Sequence, residues 1–262
     1  MLRDPSAVLV KKEEFGSHVR FTLESPAIAA KAAPGQFVMV KVSDTGHPLL
    51  RRPLCIHARE EDTIALYFDV IGLGTKLLAQ KRPGDRIDLL GPLGRGFSIG
   101  RPAGEDERIL LVGGGRGIAP LYFLGDELHK AGFKVKVLYG CQTADDLKLK
   151  KLLQETCYDT AFATDDGSCD YQGFVTDLME KEIAKDKPVR ICACGPDPML
   201  KEVARQAALG SIPAELSLEA RMGCGIGACW GCVKKIRREG REEWLKVCEE
   251  GPVFQAEEVV WE

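Results

Sequence analysis

Apolar and polar residues alternate in short runs along the first hundred residues. The clearest runs are AVLVKKEEF (7–15), HVRFTLES (18–25), QFVMVKV (36–42) and TIALYFDV (63–70). Alternation of period two is typical of strands with one buried face, and Gly- and Pro-bearing turns such as APGQ and RPGDR separate these runs. Evenly spaced short strands predict a small antiparallel β-barrel, in which GTKLLAQ (74–80) is the first predicted helix.

The pattern changes at a charged, turn-rich linker, RPAGEDER (101–108). Beyond it, apolar strand-like runs alternate with helix-like runs whose apolar residues recur every three or four positions. The predicted strands are ILLVGGG (109–115), KVKVLYG (134–140), TAFATDDG (160–167) and VRICACGP (189–196). The predicted helices are APLYFLGDELHKAG (119–132), ADDLKLKKLLQET (144–156), VTDLMEKEIAK (175–185) and PMLKEVARQAALG (198–210). This alternation predicts an α/β domain with a parallel sheet and helices on both faces.

A third pattern begins near residue 216. A loop rich in Cys and Gly precedes VKKIRREGREEWLKV (233–247), whose two β-prone halves flank a Gly-bearing turn. This predicts a hairpin that returns Cys248 to the loop, followed by a tail (249–262) packed on the rest of the chain. The expected organisation is therefore a barrel domain (1–100), a nucleotide-binding α/β domain (101–215) and a small C-terminal domain (216–262).

Composition narrows the class of protein. The 262 residues are 45% hydrophobic and 29% charged, with a net charge of -3, which is ordinary for a globular protein and gives no footprint for nucleic acid. The N-terminal residues do not read as a secretory signal, and no apolar run approaches the roughly 20 residues that a membrane helix needs. A cytoplasmic protein without a membrane span is expected, so its ten cysteines should be reduced, metal-bound or buried.

Four cysteines stand apart by their spacing, C-x4-C-x2-C-x15-C: Cys224, Cys229, Cys232 and Cys248. C-x4-C-x2-C is the first part of a plant-type [2Fe–2S] run, and the intervening glycines permit close approach of the backbone to a compact cluster. Zinc is the main alternative, but structural zinc sites usually pair two tight cysteine knuckles. A structural disulfide between two of these cysteines is a third interpretation. The other cysteines are expected to be small core residues: Cys55, Cys141, Cys157, Cys169, Cys192 and Cys194.

Three further segments follow or adjoin predicted strands. GGGRGIAP (113–120) opens a helix where a nucleotide phosphate would lie, although it is not the GxGxxG fingerprint and such glycines also serve tight turns. CGPDPML (194–200) ends a strand at the ligand-binding edge of a parallel sheet, or is a plain strand–turn–helix junction. RRPLC (51–55) offers two arginines to a phosphate, or is an exposed basic turn.

Together these segments resemble a known family. RPLC is similar to the flavin-binding Arg-Pro-x-Ser of the ferredoxin–NADP reductase superfamily, and GPLGRGF, GGGRGIAPL and CGPDPM occur in that superfamily's order and spacing. LEARMGCGIGACWGC followed by VCEEGPVF resembles the electron-transfer subunits of class 1B, NAD-linked dihydroorotate dehydrogenases, as does ATDDGS followed by GFVTD (163–177). The resemblance covers essentially the whole chain.

The resemblance implies a flavin barrel, a pyridine-nucleotide domain and a C-terminal [2Fe–2S] domain with the four cysteines as ligands. FAD would lie at the junction of the first two domains. The implied FAD-binding residues are Arg52, Pro53, Leu54, Cys55, Tyr67, Phe68, Asp69, Gly74 and Thr75. The implied NAD(H)-binding residues are Gly114, Gly115, Gly117, Cys194, Gly195 and Pro196.

Three residues depart from the family's pattern. Cys55 replaces the Ser or Thr whose hydroxyl commonly faces the flavin. Asp69 stands where relatives often have an Arg that neutralises flavin phosphate, a contact that a carboxylate does not make. Arg116 replaces an apolar residue in the glycine turn; two alternatives are that it compensates for the lost charge or that it touches the nucleotide phosphates.

The resemblance also implies the function. The chain would carry electrons between NAD(H) and an FMN-containing dihydroorotate dehydrogenase subunit, in a hetero-tetramer with two copies of each subunit and in pyrimidine biosynthesis. No acid–base pair is needed, and the four histidines show no ligand spacing. Asp145 and Asp146 follow a strand end where a 2′-phosphate would want an Arg, so NAD is favoured over NADP. Two rivals remain: a reductase of the same architecture with another redox partner, and a zinc-stabilised binding module.

Overall fold

A computed structural model describes residues 1–43, 45–104, 106–156 and 158–261. The predictions for Glu105 in the linker, Cys157 in the core and Glu262 in the tail lie outside the described residues. None of the described helices is both long and apolar enough to cross a membrane.

The first part of the chain forms a closed antiparallel barrel, as its alternating pattern predicts. The strands are β1 (Leu2–Phe15), β2 (His18–Glu24), β3 (Phe37–Val40), β4 (Arg52–Arg59), β5 (Thr63–Asp69) and β6 (Arg86–Leu93), in the order β1-β2-β5-β4-β3-β6. Two short helices accompany them, α1 (Pro26–Ala29) and α2 (Leu73–Ala79). Helix α1 and strands β4 and β6 were not predicted from the sequence. Both missed strands contain a proline, Pro53 or Pro92, which usually argues against a strand interior.

The second part begins with β7 (Arg108–Gly114) and contains the predicted parallel sheet. Its further strands are β8 (Lys134–Cys141), β9 (Asp159–Thr164), β10 (Tyr171–Gln172), β11 (Arg190–Cys194) and β12 (Ala214–Ser217). Its helices are α3 (Ile118–Lys130), α4 (Lys150–Gln154), α5 (Val175–Lys185) and α6 (Asp197–Leu209). Helices α3 and α4 pack on one face and α5 and α6 on the other, which confirms the prediction that helices cover both faces of the sheet.

The apolar spacing in α3 shows how sequence dictates this packing. Leu121, Leu124 and Leu128 are fully buried, as their three- and four-residue spacing predicts. Burial of each leucine contributes about 1.5–3 kcal/mol. The helix ends at Lys130, and Gly132 follows in the left-handed region at φ 99°.

The single long helix predicted over 144–156 is wrong. A 3-10 turn over Ala144–Asp146 and the short α4 replace it. Leu147 breaks the helix with a ψ of 53°, and the Asp146 carboxylate accepts hydrogen bonds from the backbone N–H and the hydroxyl of Thr143 at 3.2 and 2.9 Å. A side chain that caps the turn in this way favours a short local structure over a continuous helix.

The third part contains the predicted hairpin, β13 (Val233–Arg238) and β14 (Arg241–Lys246), then α7 (Val247–Glu250) and β15 (Val253–Gln255). Strand β15 pairs antiparallel with β12 and completes a seven-stranded sheet in the order β10-β9-β8-β7-β11-β12-β15. The tail therefore packs on the rest of the chain as predicted, and it does so as a strand of the nucleotide-binding sheet.

Candidate functional site

A cleft of about 330 Å³ lies between the barrel and the carboxyl end of the parallel sheet. Eight of the nine predicted flavin-binding residues line it: Arg52, Pro53, Leu54, Cys55, Tyr67, Phe68, Asp69 and Thr75. The ninth, Gly74, lies behind Arg52, because a Cβ on Gly74 would come within 2.6 Å of the Arg52 Nε atom. We call this space the flavin cleft. The barrel strands β4 and β5 and the start of α2 thus bring distant segments of sequence to one surface.

Two thiols face the flavin cleft from opposite domains, Cys55 on β4 and Cys194 at the end of β11. Burial, followed by the negative charge of Glu219, raises the pKa of Cys55 to about 12. Burial likewise raises the pKa of Cys194 above its ordinary value. Both groups are therefore neutral thiols at physiological pH, and neither adds charge beside the cleft.

A second cleft of about 780 Å³ lies along the carboxyl edge of the sheet. Of the predicted nucleotide-binding residues, Gly114, Gly115, Gly117 and Pro196 line it. Cys194 lines the flavin cleft instead, and Gly195 packs behind Gly117, where a Cβ on Gly117 would lie 2.6 Å from the Gly195 nitrogen. The structure thus explains the glycine at 117 by the close approach of two strand ends. We call this space the nucleotide cleft.

The two clefts are continuous. Five residues line both of them: Tyr67, Asp69, Arg116, Gly117 and Glu219. Ligands in the two clefts would therefore meet across a shared boundary, which is the arrangement that transfer between two bound cofactors requires. Glu219 was not predicted as a site residue, although it follows the end of β12 at the carboxyl edge, where ligands of parallel sheets bind.

The acidic pair that favoured NAD is only partly in place. Asp146 lines the nucleotide cleft, but its carboxylate accepts hydrogen bonds from the backbone N–H and the hydroxyl of Thr143. Asp145 is not among the lining residues. Asp165, which follows β9, does line the cleft and was missed. Its position after a strand end was the signal available in the sequence.

The other cysteines divide between core and clefts. The nine described cysteines are all free thiols. Cys192 and Cys194 are buried, as predicted. Cys141 is half-buried in the nucleotide cleft, and Cys169 is half-buried with its Sγ atom 2.8 Å from the Lys150 ammonium. Cys55, Cys141 and Cys169 are half-buried and pack against the edge of the core, so the expected core position is confirmed only in part for these three.

The four spaced cysteines come together in one loop and the helix that follows the hairpin. Gly227 N–H donates to the Cys248 sulfur at 3.2 Å, which confirms that the hairpin returns Cys248 to the loop. The Cys248 N–H also donates to the Cys232 sulfur at 3.4 Å, so these two cysteines lie side by side. We call residues 223–232 the cluster loop.

The backbone of the cluster loop is shaped around its sulfur atoms. Gly225 and Gly227 adopt φ values of 72° and 81°, which side chains rarely tolerate. Burial opposes ionisation of Cys224, but hydrogen bonds led by the Ile226 N–H outweigh it and lower the pKa of Cys224 to about 7. Burial and the neighbouring Cys232 raise the pKa of Cys248 to about 12.

The donor set fits an iron–sulfur cluster. Four cysteine sulfurs are the ligand set of a [2Fe–2S] cluster, and backbone N–H groups already point at three of them, those of Cys224, Cys232 and Cys248. In the described part of the chain, no three Cys, His, Asp or Glu side chains are arranged as ligands of one metal ion.

The cluster loop adjoins the flavin cleft directly. Leu218, Ala220 and Met222 line that cleft, and Met222 lies two positions before Cys224. A Cβ on Gly225 would lie 2.5 Å from Met39 on β3. One continuous segment of chain therefore passes from the flavin cleft into the cluster loop.

Comparison with known families agrees with this geometry. The family described as "Iron-sulfur cluster binding domain of dihydroorotate dehydrogenase B" matches residues 219–260. The family described as "Oxidoreductase NAD-binding domain" matches residues 111–205.

Curated relatives match nearly the whole chain. The chain is 41% identical to the dihydroorotate dehydrogenase B (NAD(+)) electron transfer subunit of Desulforamulus reducens, with 91% of each chain covered. It is 44% identical to that of Geobacillus kaustophilus, again over 91% of each. It is 42% identical to that of Geobacillus sp. WCH70, over 99% of this chain and 100% of the relative.

Two solved structures are similar. One, from a study of flavin-based electron bifurcation by an NADH-dependent reduced ferredoxin-NADP oxidoreductase, has a TM-score of 0.84 and 32% identity, covering 98% of this chain and 90% of that one. A ferredoxin NADP+ reductase from Neisseria gonorrhoeae with bound FAD and NADP has a TM-score of 0.62 and 18% identity, covering 78% and 89%. The second likeness shows the fold alone.

Proposed function

The chain belongs to the family of electron transfer subunits of dihydroorotate dehydrogenase B (NAD(+)), and from that membership we propose that it carries electrons between NAD(H) and an FMN-containing dihydroorotate dehydrogenase subunit. It is an NAD-linked oxidoreductase of the ferredoxin–NADP reductase type that uses FAD and a [2Fe–2S] cluster. The observation that carries the proposal is the continuity of the nucleotide cleft, the flavin cleft and the cluster loop.

Each part of the chain has a role in this proposal. Residues of β4 and β5 with the start of α2 hold FAD, and the glycine turn after β7 with Pro196 holds the nicotinamide nucleotide. The thiols of the cluster loop and Cys248 hold the cluster. When bound, FAD exchanges a hydride with a nicotinamide and single electrons with an iron–sulfur cluster. Tyr67 and Gly117, which line both clefts, orient the two nucleotides toward each other.

We place the partner at the cluster loop. Cys229 is exposed there, and Ile226 and Trp230 beside it are 44% and 60% exposed. Exposed apolar side chains around a one-electron carrier suit a docking surface for a protein. A complex with two copies of each subunit, the three-domain division at residues 100 and 215, and a cytoplasmic location remain predictions from the sequence.

The test assays the purified, cofactor-loaded chain with and without an FMN-bearing dihydroorotate dehydrogenase subunit. We expect the chain alone to oxidise NADH with an artificial acceptor and to form no orotate from dihydroorotate and NAD+. Orotate should appear when the partner is added. Orotate formation by the chain alone would contradict the electron-transfer role.

A second candidate is a reductase of the same architecture that serves another redox partner. The likeness at 32% identity and a TM-score of 0.84 to the chain from the NADH-dependent ferredoxin-NADP oxidoreductase study favours it. NADH oxidation that persists with the artificial acceptor, combined with inactivity toward dihydroorotate even with the partner present, would support this candidate instead.

A further inference from the structure

Two residues that depart from the family's pattern face each other at the boundary of the clefts. Arg116 lies in the 3-10 turn Gly115–Gly117 that follows β7, and Asp69 ends β5 of the barrel. An Nη1 atom of Arg116 lies 3.7 Å from an Oδ2 atom of Asp69. The two side chains line both the nucleotide cleft and the flavin cleft.

The ion pair holds the guanidinium loosely. Its N–O separation exceeds hydrogen-bond distance, and the Arg116 side chain is 51% exposed. Exposed ion pairs of this kind contribute little, whereas a guanidinium binds a phosphate through short, charge-assisted, bidentate hydrogen bonds. A phosphate that entered either cleft would therefore compete successfully with Asp69 for Arg116.

The charged residues that line the nucleotide cleft indicate which cofactor's phosphate Arg116 would bind. Among the described residues that line it, Arg116 is the only Lys or Arg. Its lining carboxylates are those of Asp69, Asp146, Asp165, Glu202 and Glu219. A dinucleotide brings a doubly charged diphosphate into these acidic surroundings, so it needs the one guanidinium that is there. The flavin cleft, in contrast, also has Arg52.

We propose that Arg116 binds the diphosphate of the nicotinamide dinucleotide, and that Asp69 is a positioning residue that holds the guanidinium at the cleft boundary and competes with the diphosphate for it. The inference rests on the proposed function only in assigning the nucleotide cleft to a nicotinamide dinucleotide. Arg116 and Asp69 then have opposite effects on nucleotide affinity, which a purely structural ion pair does not produce.

The experiment titrates NAD+ into the oxidised, FAD-loaded protein by calorimetry. A second ligand, nicotinamide mononucleotide, lacks the diphosphate. Arg116→Ala should weaken NAD+ binding about tenfold or more, since hydrogen bonds to charged groups are of that strength, and should change mononucleotide binding less than about twofold. Arg116→Lys keeps the positive charge but cannot form the paired hydrogen bonds of a guanidinium. Its NAD+ affinity should therefore lie between those of the wild type and Arg116→Ala. Asp69→Asn should tighten NAD+ binding about two- to threefold, because it removes the competing charge.

Flavin content and thermal midpoint accompany each titration, and the matched control is Arg86→Ala, an exposed arginine of β6 that lines neither cleft. The control should bind NAD+ as the wild type does. Unchanged NAD+ affinity in Arg116→Ala would overturn the inference alone. So would equal losses for both ligands, weaker NAD+ binding by Asp69→Asn, or loss of FAD with NAD+ binding retained, which would assign Arg116 to the flavin's diphosphate. A wild-type protein that binds no NAD+ would overturn the proposed function as well.

Discussion

At the scale of single residues, Asp165 has the clearest consequence for cofactor choice. It lines the nucleotide cleft, whereas Asp145 does not. The Asp146 carboxylate also lines the cleft but accepts hydrogen bonds from Thr143. A fixed negative charge beside the nucleotide repels the additional phosphate of NADPH. Of the carboxylates considered for the NAD preference, Asp146 and Asp165 line the cleft and Asp145 does not.

We expect NADH to bleach the bound flavin at least about fivefold faster than NADPH at subsaturating concentrations, since one close charge pair is worth about 1 kcal/mol or more. Asp165→Asn should reduce this discrimination, and Asp145→Asn should leave it unchanged. Stopped-flow absorbance with each nucleotide measures both effects. Equal bleaching rates in the wild type would mean that the acidic edge does not reach the ribose.

Residue identities could be predicted where spacing carries the chemistry. The four spaced cysteines and the RPLC segment were found in this way. Asp165 and Glu219 each follow a strand end, which is a signal in the sequence, but which strand ends border the clefts depends on the order of strands in the sheet. The order of the strands in the sheet is set when the chain folds and cannot be read from a local sequence pattern.

At the scale of elements, the cluster loop is a unit whose shape depends on its sulfur ligands. Its glycines take positive φ values, and its N–H groups point at Cys224 and Cys248. Its neighbour, the segment Leu218–Met222, belongs to the flavin cleft. None of the four spaced cysteines lines the flavin cleft.

Cys229→Ala should therefore remove the cluster and leave FAD bound. Loss of one of four ligands leaves an iron without its thiolate, while every residue of the flavin cleft stays in place. Iron, sulfide and flavin are quantified in the purified variant. Cys169→Ala, a half-buried cysteine outside the cluster loop, is the control and should retain both cofactors. Joint loss of iron and flavin would show that the two sites depend on each other.

Elements with strong periodicity were predicted well, and elements with mixed signals were not. Helix α5 was predicted over its full extent, Val175–Lys185. Strand β6 was missed because Pro92 masks its alternation, although every second residue from Ile87 to Leu93 is buried. Strand β4 was missed because it contains Pro53 and its burial does not alternate. The helix over 144–156 failed because the Asp146 side chain competes for the backbone.

At the scale of the whole molecule, His57 joins the barrel to the nucleotide-binding part. Its imidazole is fully buried, and Nδ1–H donates to the Ala119 carbonyl in the first turn of α3 at 2.9 Å. Arg59 on the same strand pairs with Glu127 of α3 at 3.1 Å. Burial lowers the pKa of His57 to about 3. The interface is therefore built for a neutral imidazole.

This pKa gives a prediction for stability against pH. Between about pH 3 and 6.5 the unfolded chain binds a proton on His57 that the folded chain does not, so the free energy of unfolding rises with pH through this window. Acidification from pH 7 to pH 5 therefore lowers stability by an amount on the order of 2 kcal/mol from this group.

His57→Asn should flatten that dependence, because its amide can still donate to the Ala119 carbonyl but does not titrate. Urea unfolding midpoints at pH 7 and pH 5 measure the effect. His129→Asn, at the exposed end of α3, should keep the wild-type dependence. A wild-type-like fall in midpoint for His57→Asn would show that other groups set the acid sensitivity.

Strand β15 has a consequence for how the protein is made. Pro252, which precedes it, lines the flavin cleft together with residues of β4 and β5, yet it is synthesised about two hundred residues after them. On the ribosome, the barrel emerges and closes while one wall of its cofactor cleft has still to be translated. We therefore expect flavin to load late in biogenesis, and a nascent chain arrested before β15 to expose a cleft that lacks one wall.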